Sequence, residues 1–145
     1  MPAREIFHEV RIKAPVAEVY AAITQPERLA RWWIPDTRGD GREGGTLQFW
    51  LGTRVQEMDV VATVPNRLVR WCPTDTGFDD WADTRLEFEI RPVDEGSVVH
   101  FRHSGWRDDV EAFPHYSMSW AVFMLSMKGL VETGDGFPFP NYWVH

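Results

Sequence analysis

The chain has 145 residues, enough for one domain with a substantial apolar core. Its formal net charge of −7 disfavours nucleic acid as a partner, because neutralising phosphates requires a basic surface. The single cysteine, Cys72, excludes an internal disulfide and a four-cysteine zinc site, and no apolar run reaches the roughly 20 residues of a membrane helix. We therefore expect one domain over residues 1–145 that is cytoplasmic, carries no signal peptide and does not insert into membranes.

The first part of the chain predicts one strand and two short helices. Apolar and polar residues alternate over residues 6–13, which is typical of a strand with one buried face. Apolar residues at helical spacing follow over residues 16–23, directly after a proline that is well placed at the first helical position. A second short helical stretch begins at Pro26 and ends before Pro35.

The middle of the chain predicts a meander of antiparallel strands. The segment from Asp36 to Gly45 combines glycines with charged residues and is predicted to be a loop. Strand patterns follow, with Gly52-Thr53 as a tight hairpin turn and residues 73–83 as a polar loop. The predicted strands of this part are residues 46–51, 55–64, 67–71, 85–91 and 98–103. With the first strand, the sheet is expected to contain about six strands.

The last segment predicts one long helix from about His115 to Thr133, with Gly134 as its stop. Its apolar residues cover a broad arc, which indicates that part of the helix lines a cavity or meets another chain. The order of elements predicts an α+β fold of the helix-grip type. In this fold a curved antiparallel sheet wraps around a long C-terminal helix, and two short helices follow the first strand.

Several short motifs resemble those of the START-like (SRPBCC) superfamily and, more narrowly, its Aha-type branch, named for activators of the heat-shock-protein ATPase. These motifs are Ile12-Lys13-Ala14-Pro15, Arg31-Trp32-Trp33, Pro65-Asn66-Arg67-Leu68-Val69 with Trp71, and His103-Ser104-Gly105-Trp106. The C-terminal pattern from Trp120 to Pro138 is similar to small bacterial members of that branch. The resemblance implies binding of an apolar or aromatic small molecule between sheet and helix. Some members of the superfamily are polyketide cyclases or dehydratases.

Aromatic residues are the main candidates for a binding site. The chain contains eight tryptophans, and rings of this size need either a core or a ligand to cover them. The candidate cavity residues are Trp33, Trp71, Phe88, Phe101, Trp120, Phe123 and Met124, with Met118 and Met127 as adaptable parts of the wall. Ordinary core packing explains the same residues and remains the alternative.

His103 is the candidate polar residue of the site. Its alternation with Val99 and Phe101 places the imidazole on the inward face of a strand, where it is available as a polar handle for a ligand or as a general base. The alternative is a structural histidine bonded to a backbone carbonyl or to Trp106. Binding of an apolar ligand is the first functional prediction, and a cyclase or dehydratase and a co-chaperone-like interaction module are the alternatives. His8 is a weaker candidate for an inward-facing histidine.

The loops give three further expectations. The glycines at positions 39, 41, 44 and 45 predict a mobile lid at the cavity mouth. The aspartates around Trp81 at positions 75, 79, 80 and 83 predict a solvated loop, with Trp81 as an exposed residue suited to an interface. A homodimer through this loop or through the aromatic tail that contains Phe137, Phe139, Tyr142 and Trp143 is one hypothesis, and folding of the tail onto its own sheet is the alternative. No metal and no cofactor are expected, because no set of ligand residues has suitable spacing.

Overall fold

The computed structural model describes residues 4–140 and contains seven strands and three α-helices. The strands are β1 Arg4–Ile12, β2 Asp36–Gly39, β3 Thr46–Leu51, β4 Arg54–Val64, β5 Leu68–Pro73, β6 Arg85–Val93 and β7 Gly96–Trp106. The helices are α1 Val16–Thr24, α2 Pro26–Trp32 and α3 Phe113–Thr133, and a short 3₁₀ turn spans Asp79–Trp81. The element order and the α+β helix-grip class predicted from the sequence are confirmed.

All seven strands form one curved antiparallel sheet in the order β1-β7-β6-β5-β4-β3-β2. The predicted count of six strands was too low, because the first residues of the glycine-rich segment form β2. Asp36 pairs with Trp50, and Gly39 pairs with Leu47. β2 is a short edge strand, and its polar residues show no alternation that sequence reasoning could detect.

The core fills the concave side of the sheet, where α3 buries one face against the strands. Trp120, Met124 and Met127 are buried, and the ring centroids of Trp120 and Phe101 lie 4.5 Å apart. The opposite face of α3 leaves Met118 and Leu125 exposed. The predicted wall position of Met118 is therefore wrong, since its side chain is 58% exposed.

The helix α3 ends as predicted at a glycine, and the chain then folds back along α2. Gly134 has a φ of +89°, a left-handed conformation that favours glycine. Ser126 Oγ donates to the Trp32 carbonyl and accepts the Phe137 backbone N–H, both at 2.8 Å. The Phe139 N–H donates to the Trp33 carbonyl at 2.8 Å. Part of the aromatic tail thus packs on its own chain, while the predicted contributions of residues 142 and 143 lie outside the described residues.

Candidate functional site

A cavity of about 330 Å³ opens at the end of the sheet formed by β3 and β4. It lies between the C-terminal end of α2, these two strands, the loop between β5 and β6, the first half of α3 and the folded-back tail. Its lining residues are Trp33, Ile34, Phe49, Leu51, Arg54, Gln56, Phe78, Trp81, His115, Tyr116, Ser119, Trp120, Phe123 and Phe139. The exposed members of this set, Arg54, His115 and Phe139, mark its opening to solvent.

One wall of the cavity is a cluster of aromatic rings around Trp33. The Trp33 ring lies 4.3 Å from the Phe49 ring and 4.8 Å from the Trp120 ring, measured between centroids. Phe49 shares the inward face of β3 with Leu47, as the period of two requires. Tilted and edge contacts of this kind join residues from a helix end, a strand and α3 into one surface.

The facing wall comes from the loop between β5 and β6, which one buried side chain on β4 holds in place. Gln56 is 2% exposed, and its Oε1 accepts the Phe78 backbone N–H at 2.8 Å. Its Nε2 donates to the Thr74 carbonyl at 3.3 Å and to the Glu57 carbonyl at 2.9 Å. Gly77 packs directly on Gln56, so closely that a Cβ at this glycine would lie 2.8 Å from the Gln56 Cα. These contacts place the rings of Phe78 and Trp81 at the cavity.

Trp81 is buried at 5% exposure and lines the cavity, so the predicted exposed tryptophan of an interface is wrong. Its ring lies 5.1 Å from the Phe78 ring and 6.1 Å from the Trp120 ring, with the latter pair stacked. The acidic neighbour Asp80 accepts the Tyr116 hydroxyl at 3.1 Å and lies 3.8 Å from the Arg107 guanidinium. The acidic loop is therefore tied to α3 rather than fully solvated.

His103 does not line the cavity itself, but it is hydrogen-bonded to Trp120, which does. Its Nδ1 accepts the Trp120 indole N–H at 3.2 Å, and its Nε2 is 2.9 Å from Thr84 Oγ1. Because the Thr84 hydroxyl donates to the Trp81 carbonyl at 2.6 Å, it accepts from His103, which fixes a neutral ring with its proton on Nε2. Burial lowers the pKa of His103 from 6.5 to about 3, so the ring stays neutral at physiological pH.

Arg54 and Tyr116 are two polar residues of the cavity lining. The Arg54 guanidinium lies over the Phe78 ring, 4.8 Å from its centroid, and donates to the Gly77 carbonyl at 3.1 Å. Burial, together with the hydrogen bond to Asp80, raises the pKa of Tyr116 to about 12, so its hydroxyl stays protonated and donates. The lining therefore combines a cation with a neutral phenol.

The structure brings together three of the eight binding residues predicted from the sequence. Trp33, Trp120 and Phe123 line the cavity. The other five are buried in the core and do not line it: Trp71, Phe88, Phe101, His103 and Met124. Sequence reasoning missed Phe49 and Leu51, although their place on the inward face of a predicted strand was a usable signal. It also missed Arg54, Gln56 and Phe78, for which no local pattern gave a signal.

The glycine-rich segment is not a lid of this cavity. None of its glycines lines the cavity, and a Cβ at Gly41 would overlap the Thr24 carbonyl at the end of α1. The backbone of this segment is bonded to β4, with the Gly44 N–H donating to the Val60 carbonyl and the Val60 N–H donating to the Gly45 carbonyl, both at 2.9 Å. The predicted mobile lid is therefore wrong, because the segment packs against the body of the domain.

The weaker histidine candidate on β1 also has a structural position. His8 lies opposite Phe101 on β7, and its Nε2 is 2.9 Å from the Ser117 carbonyl of α3. This hydrogen bond joins the edge strand to the helix away from the cavity. Among residues 4–140, no three His, Cys, Asp or Glu side chains are grouped as metal ligands would be.

A seven-stranded antiparallel sheet that curves around a long helix, with an aromatic cavity at one end, defines a helix-grip domain of the START-like class. The chain belongs to the family of Activator of Hsp90 ATPase homolog 1-like proteins, whose family model matches residues 13–132. The resemblance to the Aha-type branch is therefore confirmed. No curated protein shows a significant match to the chain.

Solved structures agree with this membership. The chain is similar to the Aha1 dimer from Colwellia psychrerythraea, solved in solution, at 32% identity and a TM-score of 0.84, covering 92% of this chain and 99% of that one. CalU16 from Micromonospora echinospora is 25% identical, with a TM-score of 0.74 over 98% of this chain and 81% of that one. The protein MLL2253 from Mesorhizobium loti, at 21% identity and a TM-score of 0.74 over 88% and 96% of the two chains, shows the fold alone.

None of the helices in residues 4–140 is long and apolar enough to cross a bilayer. The cytoplasmic location suggested by the single cysteine stays a prediction.

Proposed function

We propose that this domain binds a small, flat, apolar or aromatic molecule in the cavity between α2, the β3–β4 end of the sheet and α3. The observation that supports it best is the cavity itself, with a volume of about 330 Å³ and a wall of aromatic rings. Ligand sites of small-molecule binders fall in the range of about 300–1,000 Å³ and combine apolar walls with a few polar groups. Free energy is gained when an apolar molecule covers the apolar walls of such a cavity and removes them from water.

The rings that surround the cavity are already placed for a planar guest. Trp81 and Trp120 are stacked with an interplanar angle of 29°, and Trp33 stands 4.8 Å from Trp120. The supporting hydrogen bonds of Gln56 and His103 join groups of the protein itself and do not require a ligand as a partner, which favours a small loss of conformational entropy on binding. Family membership supports the same proposal at the level of the fold.

The position of His103 favours the binding proposal over the cyclase or dehydratase alternative, in which this histidine would be the general base. His103 is fully buried, both of its ring nitrogens are engaged, and it does not line the cavity. A general base has to reach a substrate proton within hydrogen-bond distance. The co-chaperone-like alternative stays a prediction that the name of the family suggests.

A titration with 2-naphthamide, a neutral two-ring probe, tests the binding proposal by calorimetry. We expect saturable binding at one site per chain, and Phe139→Ala should weaken it about fivefold, because roughly 1 kcal/mol of apolar contact is lost at the cavity opening. The matched control is Phe7→Ala, which removes an equally exposed ring from β1, outside the cavity: Phe7 is 42% exposed and Phe139 37%. Phe7→Ala should leave the affinity unchanged.

Native mass spectrometry of the protein from its own host complements this titration by detecting a molecule that co-purifies. The absence of such a molecule, together with no saturable binding of 2-naphthamide, would contradict the proposal. An equal loss of affinity in both phenylalanine variants would place the binding site elsewhere on the domain.

A second copy of this chain is the proposed assembly partner. The similar Aha1 protein from Colwellia psychrerythraea is a dimer, and the exposed face of α3 presents Met118 and Leu125 at 58% and 53% exposure. Apolar side chains grouped on one helix face favour association. Sedimentation equilibrium should give twice the chain mass of 16.9 kDa, and a monomer mass at micromolar concentration would contradict the dimer.

A further inference from the structure

The charge at the cavity is opposite in sign to the charge of the chain. The chain has 22 Asp and Glu residues and a net charge of −7, yet no carboxylate is among the residues that line the cavity. Arg54 is the lining residue that carries a full positive charge. We infer that the ligand is an aromatic molecule with an acidic group, such as an aromatic carboxylate, whose rings enter the cavity and whose anion meets Arg54. This inference rests on the binding function proposed above.

Arg54 is held in place at the opening without being neutralised. Its guanidinium donates to the Gly77 carbonyl at 3.1 Å and lies over the Phe78 ring. Within residues 4–140 it makes no ion pair, whereas Arg38, Arg42 and Arg70 each pair with a carboxylate at 3.0 Å or less. An arginine has further N–H donors in a planar fork that matches a carboxylate, so those of Arg54 are available to a ligand.

The acidic residue next to the cavity is already engaged by other groups. Asp80 accepts the Tyr116 hydroxyl and pairs with Arg107. Its negative charge is therefore directed at Tyr116 and Arg107 and does not form an ion pair with Arg54. Arg54 is therefore a lining cation that no carboxylate of residues 4–140 neutralises, and an anionic group of a ligand would supply that partner.

Two further lining residues have unpartnered polar atoms. Trp81 Nε1 and Ser119 Oγ are buried and have no hydrogen-bond partner within the described structure. An indole N–H only donates, and a hydroxyl can donate, so both suit a ligand that carries acceptor oxygens. By contrast, the Gln56 amide at the same cavity already has partners for its oxygen and its nitrogen. The free hydrogen-bonding capacity of the site is thus mainly that of donors.

The test compares 2-naphthoate with 2-naphthamide, two probes with the same rings that differ in charge. Wild-type protein should bind 2-naphthoate about tenfold more tightly, as one charge-assisted contact at a partly exposed site provides. Arg54→Gln should abolish this preference, so that the variant binds the two probes with equal affinity, and Arg54→Lys should retain part of it. The preference should also narrow as the salt concentration rises.

Arg67→Gln is the matched control, since Arg67 is exposed, makes no ion pair within residues 4–140 and lies in the turn between β4 and β5. It removes the same charge and should leave the preference at its wild-type value. Equal affinities of the wild type for the two probes would overturn the acidic-ligand inference and leave the binding function standing. A preference that survives Arg54→Gln would overturn the role of Arg54. Binding of neither probe would count against the proposed function itself, and the inference fails with it.

Discussion

The neutral, buried state of His103 leads to a pH dependence of stability with a definite sign. Its pKa in the folded protein is about 3, below the ordinary value of 6.5, because burial disfavours the charged ring. As the pH falls below 6.5, an unfolded chain takes up a proton at this residue and the folded protein does not. The free energy of unfolding that His103 contributes is thus present above 6.5 and decreases as the pH falls toward 3.

The size of the effect follows from these two pKa values. Between about pH 7 and about pH 5, proton uptake by the unfolded chain lowers the free energy of unfolding by about 2 kcal/mol, with a limiting slope of about 1.4 kcal/mol per pH unit. Replacing His103 by Gln removes this contribution but keeps an acceptor for the Trp120 indole and a donor for Thr84. Carboxylates contribute equally to both proteins and cancel in the comparison.

The assay is urea unfolding of wild type and His103→Gln at both pH values, followed by circular dichroism. The variant should lose about 2 kcal/mol less than wild type on acidification, whatever its stability at neutral pH. Parallel losses in the two proteins would refute the buried neutral histidine. If the variant does not fold, the pKa of His103 can be measured instead from the imidazole NMR resonances of the wild type. A His103 pKa near 6.5 would contradict the buried neutral histidine.

Two other substitutions test how the cavity wall is supported. Gly77→Ala should reduce the free energy of unfolding by about 1–3 kcal/mol and weaken 2-naphthamide binding, because the added methyl meets the backbone of Gln56 and displaces the loop. Unchanged urea unfolding and unchanged affinity would show that this packing is not needed. Ser119→Ala should raise the free energy of unfolding by about 1 kcal/mol, because it removes a buried unpartnered hydroxyl from a helix. Thermal unfolding measures this change, and a lower melting temperature of the variant would indicate that the hydroxyl makes a hydrogen bond.

Most of the fold could be predicted because its elements have clear local periods. Residues 6–13 alternate, residues 16–23 repeat at helical spacing, and Gly134 ends a long apolar helix, and all three features are present in the structure. β2 could not be predicted in this way, because its evidence is the pairing of Asp36 with Trp50, which depends on the position of another strand. Periodicity predicts which residues share a face, and it cannot predict an edge strand whose residues do not alternate.

The site could be predicted only in part. Alternation shows which residues of a strand face inward, but it does not show which of these lie at the cavity and which lie in the filled core. Phe88, Phe101 and His103 do face inward as predicted, yet they lie in the filled part of the core. Phe78 and Trp81 reach the cavity from a loop whose path depends on hydrogen bonds to a distant glutamine. A contact of this kind is a tertiary property and leaves no spacing in the sequence.

The positions of the buried polar side chains explain how the cavity remains open. Five polar side chains are buried among residues 4–140, namely Gln56, Thr84, Ser97, His103 and Ser126. All but Ser97 hold backbone or rings that surround the cavity: the Phe78 loop, the Trp81 carbonyl, the Trp120 indole, and the junction of α2 with the tail. Ser97 instead bonds the Ala14 carbonyl.

Such hydrogen bonds add little net stability compared with well-packed apolar side chains. Each of them, however, fixes the orientation of the two groups that it joins, which apolar contacts do not. Apolar walls without directional support would move together and remove the space, since protein interiors pack to the density of organic crystals. The buried hydrogen bonds behind the rings therefore fix the positions of the walls that enclose the cavity.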